Sequence, residues 1–166
     1  MDAVIDMTLT EQEAHALPEQ GTHALGTERL PTTLYTSGEH YELERKHIFA
    51  KCWLLAGRAS DLEKPGDFFT FQIDALSTSL AIVRGKDDRI RAFHNACTHR
   101  GTKILTEERG RVRGGMTCPY HGWTFGLQGD LLNVPDEDTF GCLDKSNVGL
   151  HEVALDRGGI HRVVVL

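Results

Sequence analysis

The chain reads as an antiparallel, all-β domain preceded by one short helix, and three observations point there. From Trp53 onward, short runs rich in β-branched and aromatic residues alternate with Gly, Asp and Asn turn signals. Helical periodicity is confined to one stretch, residues 37–49. No internal repeat or low-complexity tract interrupts the pattern.

In chain order, residues 1–29 are polar, punctuated by Pro18, Gly21 and Gly26 and without clear periodicity, which predicts a weakly structured or partner-dependent tail. Leu30-Pro31 opens a helical segment, residues 30–52. Thr36 with Glu39 matches a capping box, so the helix should run over 37–49, with Tyr41, Glu44 and Ile48 on one face and its aromatic positions packed on the domain. The β domain takes residues 53–166. Within it, 68–73 and 80–84 read as strands, 85–88 as a hairpin turn and 89–95 as the return strand. Further strands are expected at 112–117, at 124–125 before the Gln128-Gly129-Asp130 turn, and at 160–166.

The chemistry is concentrated in two segments. The first is Cys97-Thr98-His99-Arg100-Gly101; with 18 residues between His99 and Cys118, the second is Cys118-Pro119-Tyr120-His121-Gly122-Trp123. This interleaved order, C-x-H then C-x2-H, suits a two-iron, two-sulfide cluster in which one iron takes two thiolates and the other two imidazoles. Each loop then supplies one ligand to each iron. Zinc is the other metal that two Cys and two His can hold, but it usually takes sequence-local pairs such as C-x2-4-C followed by H-x3-5-H, whereas here each pair mixes Cys with His. Gly101 and Gly122 stand where the backbone must pass close to such a cluster and aim its N–H groups at sulfide.

Read in full as C-x-H-R-G and C-P-Y-H-G-W-x-F, the two segments resemble the Rieske domain of ring-hydroxylating oxygenase α subunits. The resemblance implies a Rieske-type antiparallel β-sandwich carrying two cluster-binding loops and a [2Fe-2S] cluster, with Cys97 and Cys118 on one iron and His99 and His121 on the other through Nδ1. The gap between the loops is slightly longer than the family's, which a surface loop through Arg109-Gly110-Arg111 can absorb. The high-potential Rieske proteins of respiratory complexes carry an extra cysteine in each loop; here those positions are Thr102 and Tyr120, so that disulfide is missing. Trp123 stands where they place a serine that donates to a bridging sulfide. Fewer donors stabilise the reduced state less, so the expected potential lies near the low end of the range of about −150 to +300 mV.

Histidine ligands have an electrostatic reason. Two neutral imidazoles in place of two thiolates make the cluster less negative by two charges, so an added electron costs less. Solvent-facing Nε2–H groups of His99 or His121 would then mark the exit route for that electron.

Resemblance extends upstream. Leu30-Pro31, Tyr35, Tyr41, Glu44, Ile48-Phe49, Trp53, Gly57, Pro65-Gly66-Asp67 and Arg91-Ala92-Phe93-His94-Asn95 are similar to the N-terminal part of the oxygenase α subunits. A stand-alone Rieske ferredoxin needs little ahead of its first strands, yet 96 residues precede Cys97. The family's catalytic domain binds a mononuclear Fe(II) through two histidines and a carboxylate, roughly D-x2-H-x4-5-H. His94 and His99 have the histidine spacing, but position 91 is Arg, and His99 is committed to the cluster. The sequence also stops at Val163-Val164-Val165-Leu166, inside a predicted strand, so the chain reads as the electron-accepting half of an oxygenase without its catalytic half.

The resemblance implies partners as well: a ferredoxin or flavin reductase as electron donor, a catalytic oxygenase domain or subunit as acceptor, and a ring-shaped homo-oligomer. Electron transfer into O2-dependent hydroxylation of an aromatic or other small organic substrate is the function it implies; a stand-alone Rieske ferredoxin-like carrier is the alternative, and a zinc-held structural module a third.

Composition fits this reading. With 40% hydrophobic and 25% charged residues, 166 residues suffice for one globular domain with a sizeable core. A net charge of −6 argues against nucleic acid as a partner. No apolar run approaches the roughly 18 residues of a membrane span. The acidic opening Met1-Asp2-Ala3-Val4-Ile5-Asp6 is unlike a signal peptide, so a cytoplasmic location and no membrane association are expected. Cys52 and Cys142, with no required disulfide, are expected as small buried hydrophobes. Trp123 reads as packing, Pro119 as a stiff apolar cover, Tyr120 as a shield or donor to a ligand sulfur, and His94 and Asn95 as residues orienting the first loop. Arg100, Lys103, Arg109, Arg111 and Arg113 could dock an acidic donor or form a solvated face. His15, His23, His40, His47, His151 and His161 show no ligand spacing.

Overall fold

The structure is a computed structural model and describes residues 29–156, together with the backbone of 162–165; the expected tail at 1–28 lies outside the described residues. Tyr35–Leu166 forms one compact unit. Of the other unit, Met1–Leu34, residues 29–34 are described, and there the Leu34 N–H donates to the Pro31 carbonyl at 3.2 Å.

Two short helices come first, α1 (Thr33–Thr36) and α2 (Gly38–Glu44), and α2 runs on into a wider π-helical turn, Arg45–Phe49. The cap of α2 is Ser37, one residue after the expected Thr36: its backbone is extended and its Oγ accepts from the His40 N–H at 3.3 Å. Nothing in these turns is fully buried, and Tyr41 and Ile48 are 45% and 49% exposed. The expected packing is therefore corrected for Tyr41 and Ile48, whereas the half-buried Phe49 lines a pocket with Ile73, Leu76 and Leu80; the cap and the local pairs Arg45–Glu42 at 2.7 Å and His40–Glu44 at 3.5 Å add to the segment's order.

Eleven strands follow among the described residues: β1 (Leu54–Arg58), β2 (Asp67–Ile73), β3 (Thr78–Arg84), β4 (Ile90–His94), β5 (Arg109–Arg111), β6 (Met116–Thr117), β7 (Thr124–Phe125), β8 (Leu131–Asn133), β9 (Glu152–Val153), β10 (Leu155–Asp156) and β11 (Arg162–Val165). All pairings are antiparallel, in three sheets: a central one ordered β5-β2-β3-β4-β9, and two of three strands, β1-β11-β10 and β6-β7-β8. This is an all-β fold.

The central sheet is buried on both faces, and the pleat sorts its side chains. Phe68, Ala81, Val83 and Phe93 point to one core, shared with Met116, Phe125 and Leu131 of the β6-β7-β8 sheet. Their chain neighbours Phe69, Leu80, Ile82 and Ala92 point to a second core, closed by Ala59, Leu62 and the partly buried Leu54, Ala56 and Leu155. Two covered faces explain why Leu80-Ala81-Ile82-Val83 is a continuous apolar run rather than an alternating one. The first core lies under the two motif loops.

Arg109-Gly110-Arg111, expected as a surface loop, is the edge strand β5, with Gly110 opposite Phe68. A Cβ at Gly110 would lie 2.9 Å from the Phe68 ring, so glycine lets the edge strand close down on it. Of the strand expected at 112–117, only Met116–Thr117 pairs. Cys52 and Cys142 are both exposed and unbridged, against the expectation of burial: Cys52 follows the exposed π turn and Cys142 follows Gly141 in a surface turn.

Candidate metal centre

The two loops share one backbone frame. In the first, the Cys97 N–H donates to the Thr102 carbonyl at 2.8 Å and the Gly101 N–H returns to the Cys97 carbonyl at 2.7 Å. In the second, the Cys118 N–H donates to the Trp123 carbonyl at 2.8 Å and the Gly122 N–H to the Cys118 carbonyl at 3.1 Å. Gly101 and Gly122 close these turns at φ +70° and +72°, a left-handed conformation that disfavours any residue with a Cβ.

Asn95 buttresses the first loop from below. Its buried amide donates to the Leu105 carbonyl at 2.7 Å and accepts from the Ile104 and Leu105 N–H groups at 3.2 and 2.9 Å, the orienting role expected of it. The connection between β8 and β9 crosses both loops as a strap. Thr98 Oγ1 donates to the Val148 carbonyl at 2.8 Å, a Cβ at Gly122 would lie 3.0 Å from Pro135, and Val134, Leu143, Val148 and Leu150 anchor the strap in the core.

Burial separates the four candidate ligands into pairs. Cys97 and Cys118 are buried thiols facing one another, whereas His99 is half-buried and His121 exposed, their rings 4.8 Å apart. Burial pushes the Cys97 thiol up, and Cys118 adds to the rise; the N–H groups of His99 and Arg100, facing the Cys97 sulfur, act against it. Partial burial holds the His99 imidazole below its ordinary value, helped by His121 and Arg100. A thiol pair inside and an imidazole pair outside fit a two-metal group with one sulfur-ligated and one nitrogen-ligated end better than tetrahedral zinc.

Trp123 is 4% exposed and serves as packing, as expected, but it also forms a floor on which the His99 ring stacks, 4.8 Å away and 9° from parallel. Tyr120 lies tilted on His121 at 3.7 Å, and Pro119 is exposed. His94 presents an exposed side chain, and its N–H donates to the His151 carbonyl at 3.0 Å. The basic group does not form one free face: Arg109 pairs with Asp61 at 3.0 Å and Arg111 with Asp67 at 2.5 Å, while Arg100, Lys103 and Arg113 remain exposed. Sequence reasoning missed Phe140, whose ring meets both His99 and Trp123; a lone aromatic in the polar run Pro135-Asp136-Glu137-Asp138-Thr139 was the only signal.

Comparison with known proteins adds to this geometry. The family described as Rieske [2Fe-2S] domain matches residues 52–149, more than half of the chain. The benzene 1,2-dioxygenase subunit alpha of Pseudomonas putida is 41% identical over 118 residues, covering 70% of this chain and 26% of the relative. The carnitine monooxygenase oxygenase subunit of Acinetobacter baumannii is 39% identical over 117 residues, 70% of this chain and 31% of the relative. Among solved structures, a quaternary ammonium Rieske monooxygenase superposes with a TM-score of 0.74 at 34% identity, over 82% of this chain and 37% of that one. A naphthalene 1,2-dioxygenase gives 0.69 at 36% identity, over 76% and 28%. The chain thus spans about a quarter to a third of the curated relatives it matches.

Proposed function

The chain belongs to the Rieske [2Fe-2S] domain family, in the form carried by oxygenase α subunits, and on that footing we propose that it is the electron-transfer portion of a multicomponent ring-hydroxylating oxygenase. It accepts electrons from a reductase or ferredoxin and passes them to a mononuclear iron held by a catalytic domain or a neighbouring subunit, where O2-dependent hydroxylation takes place. The observation that carries this reading is the sorting of the two loops' side chains, thiols into the core and imidazoles to the surface. The names of the relatives span an aromatic hydrocarbon and a quaternary amine, so the substrate is proposed only as a small organic molecule.

Cys97 and Cys118 would hold one iron and His99 and His121 the other. When bound, the cluster takes up and gives back a single electron. The chain's own residues set the conditions for that. The buried thiols keep water from the sulfur end, and the N–H groups of His99 and Arg100 offset negative charge beside Cys97. The exposed edge at His121 gives a partner short access to the imidazole end. Among the described residues no helix is long and apolar enough to cross a membrane.

Iron, zinc and acid-labile sulfide per chain, read together with the reduced EPR spectrum, test the reading. Two irons and two sulfides with a Rieske signal and a midpoint toward the low end of about −150 to +300 mV support it; zinc without sulfide sinks it. His121→Ala should abolish the intact cluster, since the second iron loses half its protein ligands.

A further inference from the structure

We propose that Phe140 is a positioning residue for His99, closing with Trp123 an aromatic clamp that holds the imidazole in one orientation and keeps water off its flank. The inference rests on His99 being a cluster ligand, as argued above. Three rings touch one another. His99 stacks on Trp123 at 4.8 Å, Phe140 meets His99 edge-on at 5.8 Å and 83°, and Phe140 meets Trp123 edge-on at 5.7 Å and 73°. Both geometries are ones that aromatic quadrupoles favour. Trp123 is a fixed floor, being 4% exposed; Phe140, at 40%, is the outer wall.

The two imidazoles are therefore held differently. His121 has the exposed Tyr120 ring tilted on it at 3.7 Å and, among the described residues, makes no ring contact with Phe140. His99 alone is walled by Trp123 and Phe140.

Phe140 is also anchored from its own side. It ends a 3-10 turn, Glu137–Phe140, which Asp136 starts at φ +52° and Gly141 leaves at φ +67°. The Thr139 N–H and hydroxyl both donate to the Asp136 carbonyl, at 2.9 and 2.7 Å. Lys145 pairs with Glu137 at 2.5 Å, tying this turn to the next, and Leu143 packs on the core between them. This strap crosses both loops, meeting the first at Thr98 through the Val148 carbonyl and the second at Gly122 through Pro135.

The test uses the full chain carrying its cluster, with 15N-labelled histidine, and reads two quantities: the histidine hyperfine couplings of the reduced state by ENDOR, and the rate of iron loss to a chelator. Phe140→Ala should change one histidine coupling and leave the other, and should release iron about three- to tenfold faster, the change expected from losing an aromatic pair. Phe140→Tyr should restore both readouts, while Phe140→Leu, which keeps apolar volume without a ring, should behave like the alanine variant. Unchanged couplings and rate in Phe140→Ala overturn the clamp, as do equal shifts in both couplings or full rescue by leucine. A wild-type chain without a Rieske signal overturns both this inference and the functional reading beneath it; a wild-type signal with an identical Phe140→Ala chain overturns the clamp alone.

Discussion

At the scale of single residues, the candidate site was legible because its signal resides in residue type and local spacing, and the structure brings the four residues together. Cys97, His99, Cys118 and His121 announce themselves within two segments of five and six residues, and Gly101 and Gly122 announce the turns. Phe140 did not, since it reaches His99 from 41 positions away and no local pattern encodes that contact. The two glycines, alike in φ, differ in surroundings. A Cβ at Gly101 meets nothing within 4 Å, whereas one at Gly122 lies 3.0 Å from Pro135. Gly101→Ala should therefore cost strain alone, about 1–2 kcal/mol, and Gly122→Ala more, because Pro135 is part of the strap and must give way. Thermal unfolding of the two variants side by side decides this; equal losses would mean the strap yields freely at Pro135.

At the scale of elements, strands with several apolar positions were legible, as was the two-residue β7, which Gly122 and the Gln128-Gly129-Asp130 turn bracket, whereas the isolated two-residue strands β9 and β10 were not. Residues 68–73 and 80–84 carry enough β-branched, aromatic and other apolar residues to be found, and appear lengthened to β2 and β3. β9 and β10 have two residues each and exist only because a neighbouring strand supplies their hydrogen bonds, and of the expected 112–117 only the two residues of β6 pair. β5 was hidden for another reason: Arg-Gly-Arg has the composition of a loop, and it pairs because Phe68 covers Gly110 and Arg111 clamps Asp67. Arg111 holds the Asp67 carboxyl below the usual carboxylate range. A depressed folded-state value means the pair contributes fully above the unfolded value of about 3.9 and fades as pH falls through the lower folded value. Asp67→Asn should thus remove roughly 1 kcal/mol at pH 7, a modest figure because Arg111 is nearly half exposed, and progressively less as the carboxyl protonates in acid. Urea unfolding of both proteins from pH 7 down to pH 2 checks it: the two stability curves should converge toward the acid end, and curves that stay parallel would refute the pairing as the source.

At the scale of the whole molecule, the central sheet divides the interior into two cores with different duties. One lies under the motif loops and includes Cys97, Cys118 and Trp123 along with Phe125; the other, built on Phe69, Leu80 and Ile82, faces the β1-β11-β10 sheet. The antiparallel character was readable from short β-prone runs separated by turn signals, but not the second covered face, because a sheet buried on both sides loses the polar half of its alternation. Ile82 and Phe125 are both fully buried, so truncating either leaves a cavity. Ile82→Ala should cost about 2–5 kcal/mol and Phe125→Ala about 3–5 kcal/mol in urea unfolding. Their effects on the metal centre should part company. Phe125 sits two residues past Trp123 and pairs with Met116 just ahead of Cys118, so its cavity opens beneath the second loop and should speed iron loss. Ile82 points away from both loops, so its variant should keep the reduced EPR line shape and the wild-type rate of iron loss despite its lower stability. Should Ile82→Ala disturb the cluster as much as Phe125→Ala, the central sheet transmits packing defects between its faces, and the division of duties argued here is wrong.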